Sequence, residues 1–171
     1  TRQSIESILL KDVGGYLEKL EKGFNIIKKL KPVFAKPGSR TMKYFIDDNF
    51  LNFWFRFIYK YRSAIEIQKY DYVKNIVERD FETYSGRFLE KYFTAKLALT
   101  ANYSEIGSYW EKGNKNEIDI VAVNDQEKQI LIGEVNMKKE KLNRERLKEK
   151  TQEIRDKFQF YEFEYKGFSL D

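Results

Sequence analysis

Two carboxylates stand inside apolar, strand-like runs: Asp119 in EIDIVAVN and Glu134 in QILIGEVN. Side chains alternate across a strand, so Glu134 shares a face with Ile130, Ile132 and Asn136, and Asp119 shares one with Val121 and Val123. Two acids projecting from adjacent strands into one place repel each other and lose hydration, costs that a divalent cation reverses. The Val135 carbonyl offers a third oxygen, and Glu90, on the helical segment before the strands, a fourth. Glu90, Asp119, Glu134 and Val135 together make a hard-metal site suited to Mg2+, with Mn2+ as a substitute. A plainer reading stays open, in which the acids lie at strand ends, solvated or paired with some of the many lysines. Gly133, beside Glu134, permits close backbone approach.

The rest of the composition narrows the chemistry. Cysteine and histidine are both absent, which removes disulfides, thiol nucleophiles, imidazole-based triads and the usual zinc sites. Any metal is then oxygen-bound. Thirty-two basic against 27 acidic residues give a net charge of +5, an excess that permits a polyanionic partner such as DNA without demanding one. With 42% hydrophobic and 16% aromatic residues the chain is globular, and its 171 residues suffice for one ordinary domain or two small ones. No apolar run of membrane-spanning length and no signal-peptide pattern occurs, so a cytoplasmic protein with no membrane partner is expected. Thr1 in first place points to a fragment of something longer.

The elements that would position these residues fall into three segments. In residues 1–47, RQSIESILL and VGGYLEKLEK have apolar residues at helical spacing, with Asp12 as a cap and Gly23 as a stop. FNIIKKLKPVFA and RTMKYFID, separated by KPGS, read as two strands around a Pro/Gly turn, the wing of a partial winged helix. Its phosphate contacts would come from Lys11, Lys19 and Lys22 on the helix and from Lys36, Arg40 and Lys43 on the wing. Glu18 and Glu21 on the same helix speak equally for a protein-interaction module. Residues 48–70 form a linking helix in which Phe50, Phe53, Trp54, Phe57, Ile58 and Tyr61 make one aromatic face, which is expected to be buried.

From residue 71 to 171 the pattern is helical up to Leu99, with a break expected near Ser85–Gly86, and then extended. SYWEKG, EIDIVAVN and QILIGEVN read as three strands, KKEKLNRERLKEKTQEIRDKF as a charged helix with a Leu142/Leu147/Ile154 stripe, and FQFYEFEYKGFSL as one or two closing strands. The whole is α/β.

GSYWEKGNKNEIDIVAV followed by QILIGEVN, with YSGRFLEKYF before and YKGFSL after, resembles the C-terminal domain of archaeal-type P-loop ATPases, a domain similar to restriction endonucleases of the PD-(D/E)XK superfamily. DVGGYLEKLEKGFNII and YFIDDNFLNFWFRFIYKY look like the winged helix and linking helix of the same proteins. The resemblance implies a central mixed β-sheet flanked by helices, with Glu90 as the helix acid, Asp119 as the metal-binding aspartate and Glu134 as the second acid of a Mg2+-dependent DNA endonuclease. It also implies a lysine two residues after the second acid, and that position is Asn136. Lys138, about 6.6 Å further along if the strand continues, is the candidate replacement. The nucleotide site of such an ATPase would precede Thr1, since no G-x-x-x-x-G-K-[ST] loop occurs in this chain. An alternative is a domain that has kept the scaffold, binds DNA or a protein partner in service of the ATPase module, and has lost its chemistry.

Overall fold

The structure, a computed structural model, describes residues 1–39, 41–100, 103–138 and 143–170. It divides into two units, residues 1–31 with 37–81 and residues 32–36 with 82–171.

In the first unit α1, Arg2–Leu9, starts at Thr1, whose hydroxyl accepts the Ser4 N–H at 3.2 Å. α2, Gly14–Glu18, runs directly into a π-helical turn, Lys19–Gly23. β1, Ile27–Leu30, pairs antiparallel with β2, Lys43–Ile46. Val13, Leu17 and Ile27 form a small core, with Ile5, Leu20, Tyr44 and Ile46 packed on it. The first strand is shorter than expected. Pro32 has no N–H for the ladder, and residues 32–36 belong to the other unit.

The aromatic segment corrects a second expectation. α3, Asn49–Phe53, passes into a π-helical stretch, Trp54–Tyr59, and then α4, Arg62–Glu66. Of the expected face, Phe57 is fully buried and Phe53, Ile58 and Tyr61 are half-buried, but Phe50 and Trp54 are 67 and 40% exposed. Spacing of four still brings rings together along the segment, Phe50 with Trp54 at 6.0 Å and Phe53 with Phe57 at 5.1 Å between centroids.

α5, Tyr70–Thr100, is continuous over 31 residues, without the break expected at Ser85–Gly86. A lone glycine costs about 1 kcal/mol relative to alanine in a helix. That is small beside burial of Val73, Ile76, Phe93 and Leu97 along its length. Ser85 stays within the helical pattern by donating its hydroxyl to the Glu82 carbonyl at 3.1 Å. The division between units falls inside this helix, between Phe81 and Glu82.

The second unit is built on a four-stranded mixed sheet in the order β3-β4-β5-β6: Glu105–Tyr109, Ile118–Asn124, Gln129–Val135 and Glu162–Phe168. The first three run antiparallel and β6 is parallel to β5. A parallel neighbour requires a crossover, supplied by α6, Arg144–Lys150, and α7, Gln152–Lys157. The single charged helix expected here is split at Thr151, which is fully buried. Its hydroxyl donates to the Lys148 carbonyl at 2.7 Å and bonds the Tyr165 hydroxyl at 3.0 Å.

Alternation distributes the sheet over two cores. Val121, Val123, Ile130 and Ile132 meet Leu147 and Ile154 of the crossover helices and Val33. Ile120, Ala122, Leu131 and Val135 meet Phe93 and Leu97 of α5 and Phe168. The expected α/β architecture, a mixed sheet flanked by helices, is present. No described helix is long and apolar enough to cross a membrane.

Gly133 sits where the second core is tightest. A Cβ there would lie 2.7 Å from the Phe168 ring and 3.1 Å from Ile120 Cβ. Gly133→Ala is therefore expected to destabilise the protein by about 1–3 kcal/mol through overpacking, read as a lower urea midpoint at unchanged m-value.

Candidate functional site

The antiparallel register of β4 and β5 brings the two strand acids together. Ile120 faces Gly133, Val121 faces Ile132 and Val123 faces Ile130. Asp119 and Glu134 are the next residues outward from the Ile120–Gly133 pair, on the face that carries Val121 and Ile132. The register is set at the other end of the hairpin. There Asn124 is buried and its Oδ1 accepts the Gln126 and Glu127 N–H groups, each at 3.1 Å, while Lys128 takes a left-handed conformation, φ 54°.

Each acid spends one oxygen on the backbone. Asp119 Oδ2 accepts the Val135 N–H at 2.8 Å. Glu134 Oε2 accepts the N–H of Asn143, the cap residue of α6, at 3.2 Å. The other Glu134 oxygen, Oε1, has Lys150 Nζ 3.9 Å away, with the two side chains 20% and 23% exposed. Burial pushes the Asp119 carboxyl above its ordinary range; the Val135 N–H and Lys150 pull it back down, and Glu134 and Glu117 add to the rise.

Lys150 is the member of this cluster that sequence reasoning missed. It lies one helical turn after Leu147, which is buried against the sheet, and residues three apart on a helix share a face. The Leu147/Ile154 stripe contained that signal, obscured by the number of lysines around it.

The remaining candidates are placed as follows. Glu90 lies on α5, whose Leu89, Phe93 and Leu97 pack on the Ile120/Leu131 side of the sheet; Asp119 and Glu134 share the opposite face. Among the described residues no three acids are grouped closely enough to hold a metal ion. Val135 contributes its N–H to Asp119. β5 ends at Val135, so the continuing strand on which Lys138 depended is not there. Asn136 Oδ1 instead accepts the Lys138 N–H at 3.2 Å, an Asx turn that leads the chain off the sheet, and Lys138 is exposed.

Of the basic residues, Lys11 lies 4.7 Å from the centre of the Tyr16 ring and Lys19 5.7 Å from that of Phe24. Lys22 pairs with Glu18 at 2.7 Å. Lys43 opens β2. Lys36 belongs to the second unit, and Arg40 lies outside the described residues, as does Leu142 of the apolar stripe.

A family model described as archaea bacterial proteins of unknown function matches residues 54–155, which include α5, β3, β4, β5 and α6. An uncharacterized protein of Methanocaldococcus jannaschii is 33% identical over 134 residues, covering 74% of this chain and 29% of that protein. The match thus spans under a third of the relative's length. No solved structure matches the chain.

The raised Asp119 carboxyl has a testable consequence for stability. Between the unfolded value, about 3.9, and the higher folded value, the native state binds more protons than the unfolded state. Stability contributed by this residue therefore falls as pH rises through that window, and the deficit persists at neutral pH. Asp119→Asn removes the titration. The stability of the variant relative to wild type, from urea unfolding, is expected to be more favourable at pH 7 than at pH 3.

Proposed function

The chain belongs to the DUF234 family, and for its second unit we propose a Mg2+-dependent nuclease that hydrolyses DNA phosphodiester bonds at Asp119 and Glu134. The observation that carries this reading is the pairing of two half-buried carboxylates on neighbouring strands, one of them held above its ordinary pKa by burial. Burying like charges together is costly, so the arrangement calls for compensating positive charge.

The donor set fits a hard cation. Asp119 Oδ2 and Glu134 Oε2 are committed to backbone N–H groups, so Asp119 Oδ1 and Glu134 Oε1 are the oxygens that would hold the metal. Mg2+ binds through one or two carboxylates and keeps several waters or phosphate oxygens, so a third acid is not required. Bound there, it supplies Lewis-acid polarisation of the phosphodiester. The protein fixes the two carboxylates through the Val135 and Asn143 N–H groups, and Glu134 links the strand end to the start of α6.

In this reading the four-stranded sheet is that of a PD-(D/E)XK domain, the first unit is a partial winged helix whose Lys11, Lys19, Lys22 and Lys43 face phosphates, and the chain is the C-terminal part of an archaeal-type ATPase. The length of the relative, more than three times the matched segment, supports a larger assembly. A second reading, a catalytically silent DNA-binding or protein-docking domain, is favoured by Asn136. Where the superfamily has a charged lysine, this side chain is occupied in a turn.

Plasmid cleavage separates them. Wild-type protein with Mg2+ or Mn2+ is expected to nick supercoiled DNA, and Asp119→Ala and Glu134→Ala to lose at least about 100-fold in rate. Cleavage unaffected by both substitutions would remove the site. Metal-independent, strongly salt-dependent DNA binding without cleavage would establish the second reading.

A further inference from the structure

We propose that Lys150 is the cation of the Asp119–Glu134 site, delivered from the end of α6 and not from β5. The proposal rests on the hydrolytic reading above and names the group that neutralises the charge developing on the phosphodiester.

Three observations converge on this residue. First, the strand provides no cation: β5 ends at Val135, Asn136 is held in its turn, and Lys138 is exposed beyond it. Second, α6 is anchored at the site from both ends. Glu134 accepts the Asn143 N–H at its start and faces Lys150 at its close, while Leu147 between them is buried in the sheet. Third, the Lys150–Glu134 pair is more shielded than the other pair on its helix. Its side chains are 23% and 20% exposed, against 42% and 79% for Lys148–Glu145. Charges shielded from water attract more strongly than exposed ones, so Lys150 is held beside Glu134.

The separation itself matters. A direct ammonium–carboxylate hydrogen bond is about 2.7–2.9 Å long, and Lys150 Nζ stands 3.9 Å from Glu134 Oε1. An ammonium has three donors. Held beside the acids but not locked onto one of them, it has donors for a phosphate oxygen.

In the hydrolysis the water oxygen bonds to phosphorus and one ester P–O bond breaks. The proton lost by the water passes to solvent, and the leaving alkoxide takes up a proton from solvent. One water is consumed for each bond cut, and Lys150 stays protonated throughout. Its part is electrostatic.

The test uses K150Q, K150R and K138Q in the full chain, each checked by thermal melting; K150M replaces K150Q if glutamine is not tolerated. K150Q is expected to lower Mg2+-supported cleavage by about 100-fold or more, K150R to retain more activity than K150Q, and K138Q to match wild type. A second readout needs no cleavage. By fluorescence anisotropy without metal, K150Q is expected to bind a short DNA duplex several-fold more weakly than wild type, and K150R to bind it more tightly than K150Q. Cleavage by K150Q at the wild-type rate, or an unchanged DNA affinity, overturns the assignment. A wild-type protein that does not cleave refutes the hydrolytic reading alone, and the DNA affinity of K150Q then still decides whether Lys150 is the cation that meets the phosphate.

Discussion

The pairing of β4 with β5 is the constraint on which the second unit depends. Side chains alternate with a period of two, so a slip of β5 by one residue would move Ile130 and Ile132 out of the core they share with Val121 and Val123 and carry Glu134 to the face opposite Asp119. The same register that buries the branched side chains therefore sets the acids beside each other. Two devices hold it. The Asn124 side chain closes the hairpin turn, and the parallel ladder to β6 runs along β5 from Gln129 to Val135. Packing and chemistry are specified by one alignment of two strands.

At the edge of that alignment the sheet has to become something other than sheet. Beyond Val121 and Ile132 this face of the sheet changes from apolar side chains to carboxylates, and charged groups so placed must be hydrogen-bonded or paired. The chain meets this requirement largely with main-chain donors, the Val135 and Asn143 N–H groups, and one ammonium from a helix. Neutralisation is incomplete. Burial still outweighs these partners at Asp119 and holds its carboxyl above the ordinary range.

Much of this was legible in the sequence, and the exceptions have identifiable causes. Branched runs bounded by polar turns announce β4 and β5, and their alternation places Asp119 and Glu134 on a common face before any coordinates exist. Lys150 was not legible in the same way, because its partner lies on another element and KEKLNRERLKEK contains many equivalent lysines. The aromatic segment was legible in part: Phe53, Phe57, Ile58 and Tyr61 of its face are buried or half-buried, while Phe50 and Trp54 are exposed. Ser85–Gly86 misled because two residues with poor helix propensity are carried by a long helix anchored on either side. Lys150 and α5 were decided by contacts remote in sequence. Asn136 misled for a local reason: its turn, and not its place in the strand, decides what its side chain does.

Residues 32–36 give the second unit an ancestry problem. Val33 is buried in the core of that unit, and its N–H donates to the Ser108 carbonyl at 2.9 Å, yet the residue is encoded between β1 and β2 of the first. A gene rearrangement that transplanted only the downstream stretch, from α5 onward, would leave a hole the size of a valine in the recipient's hydrophobic interior and an unmet carbonyl on β3. The core of the second unit is thus complete only with a segment encoded between two strands of the first.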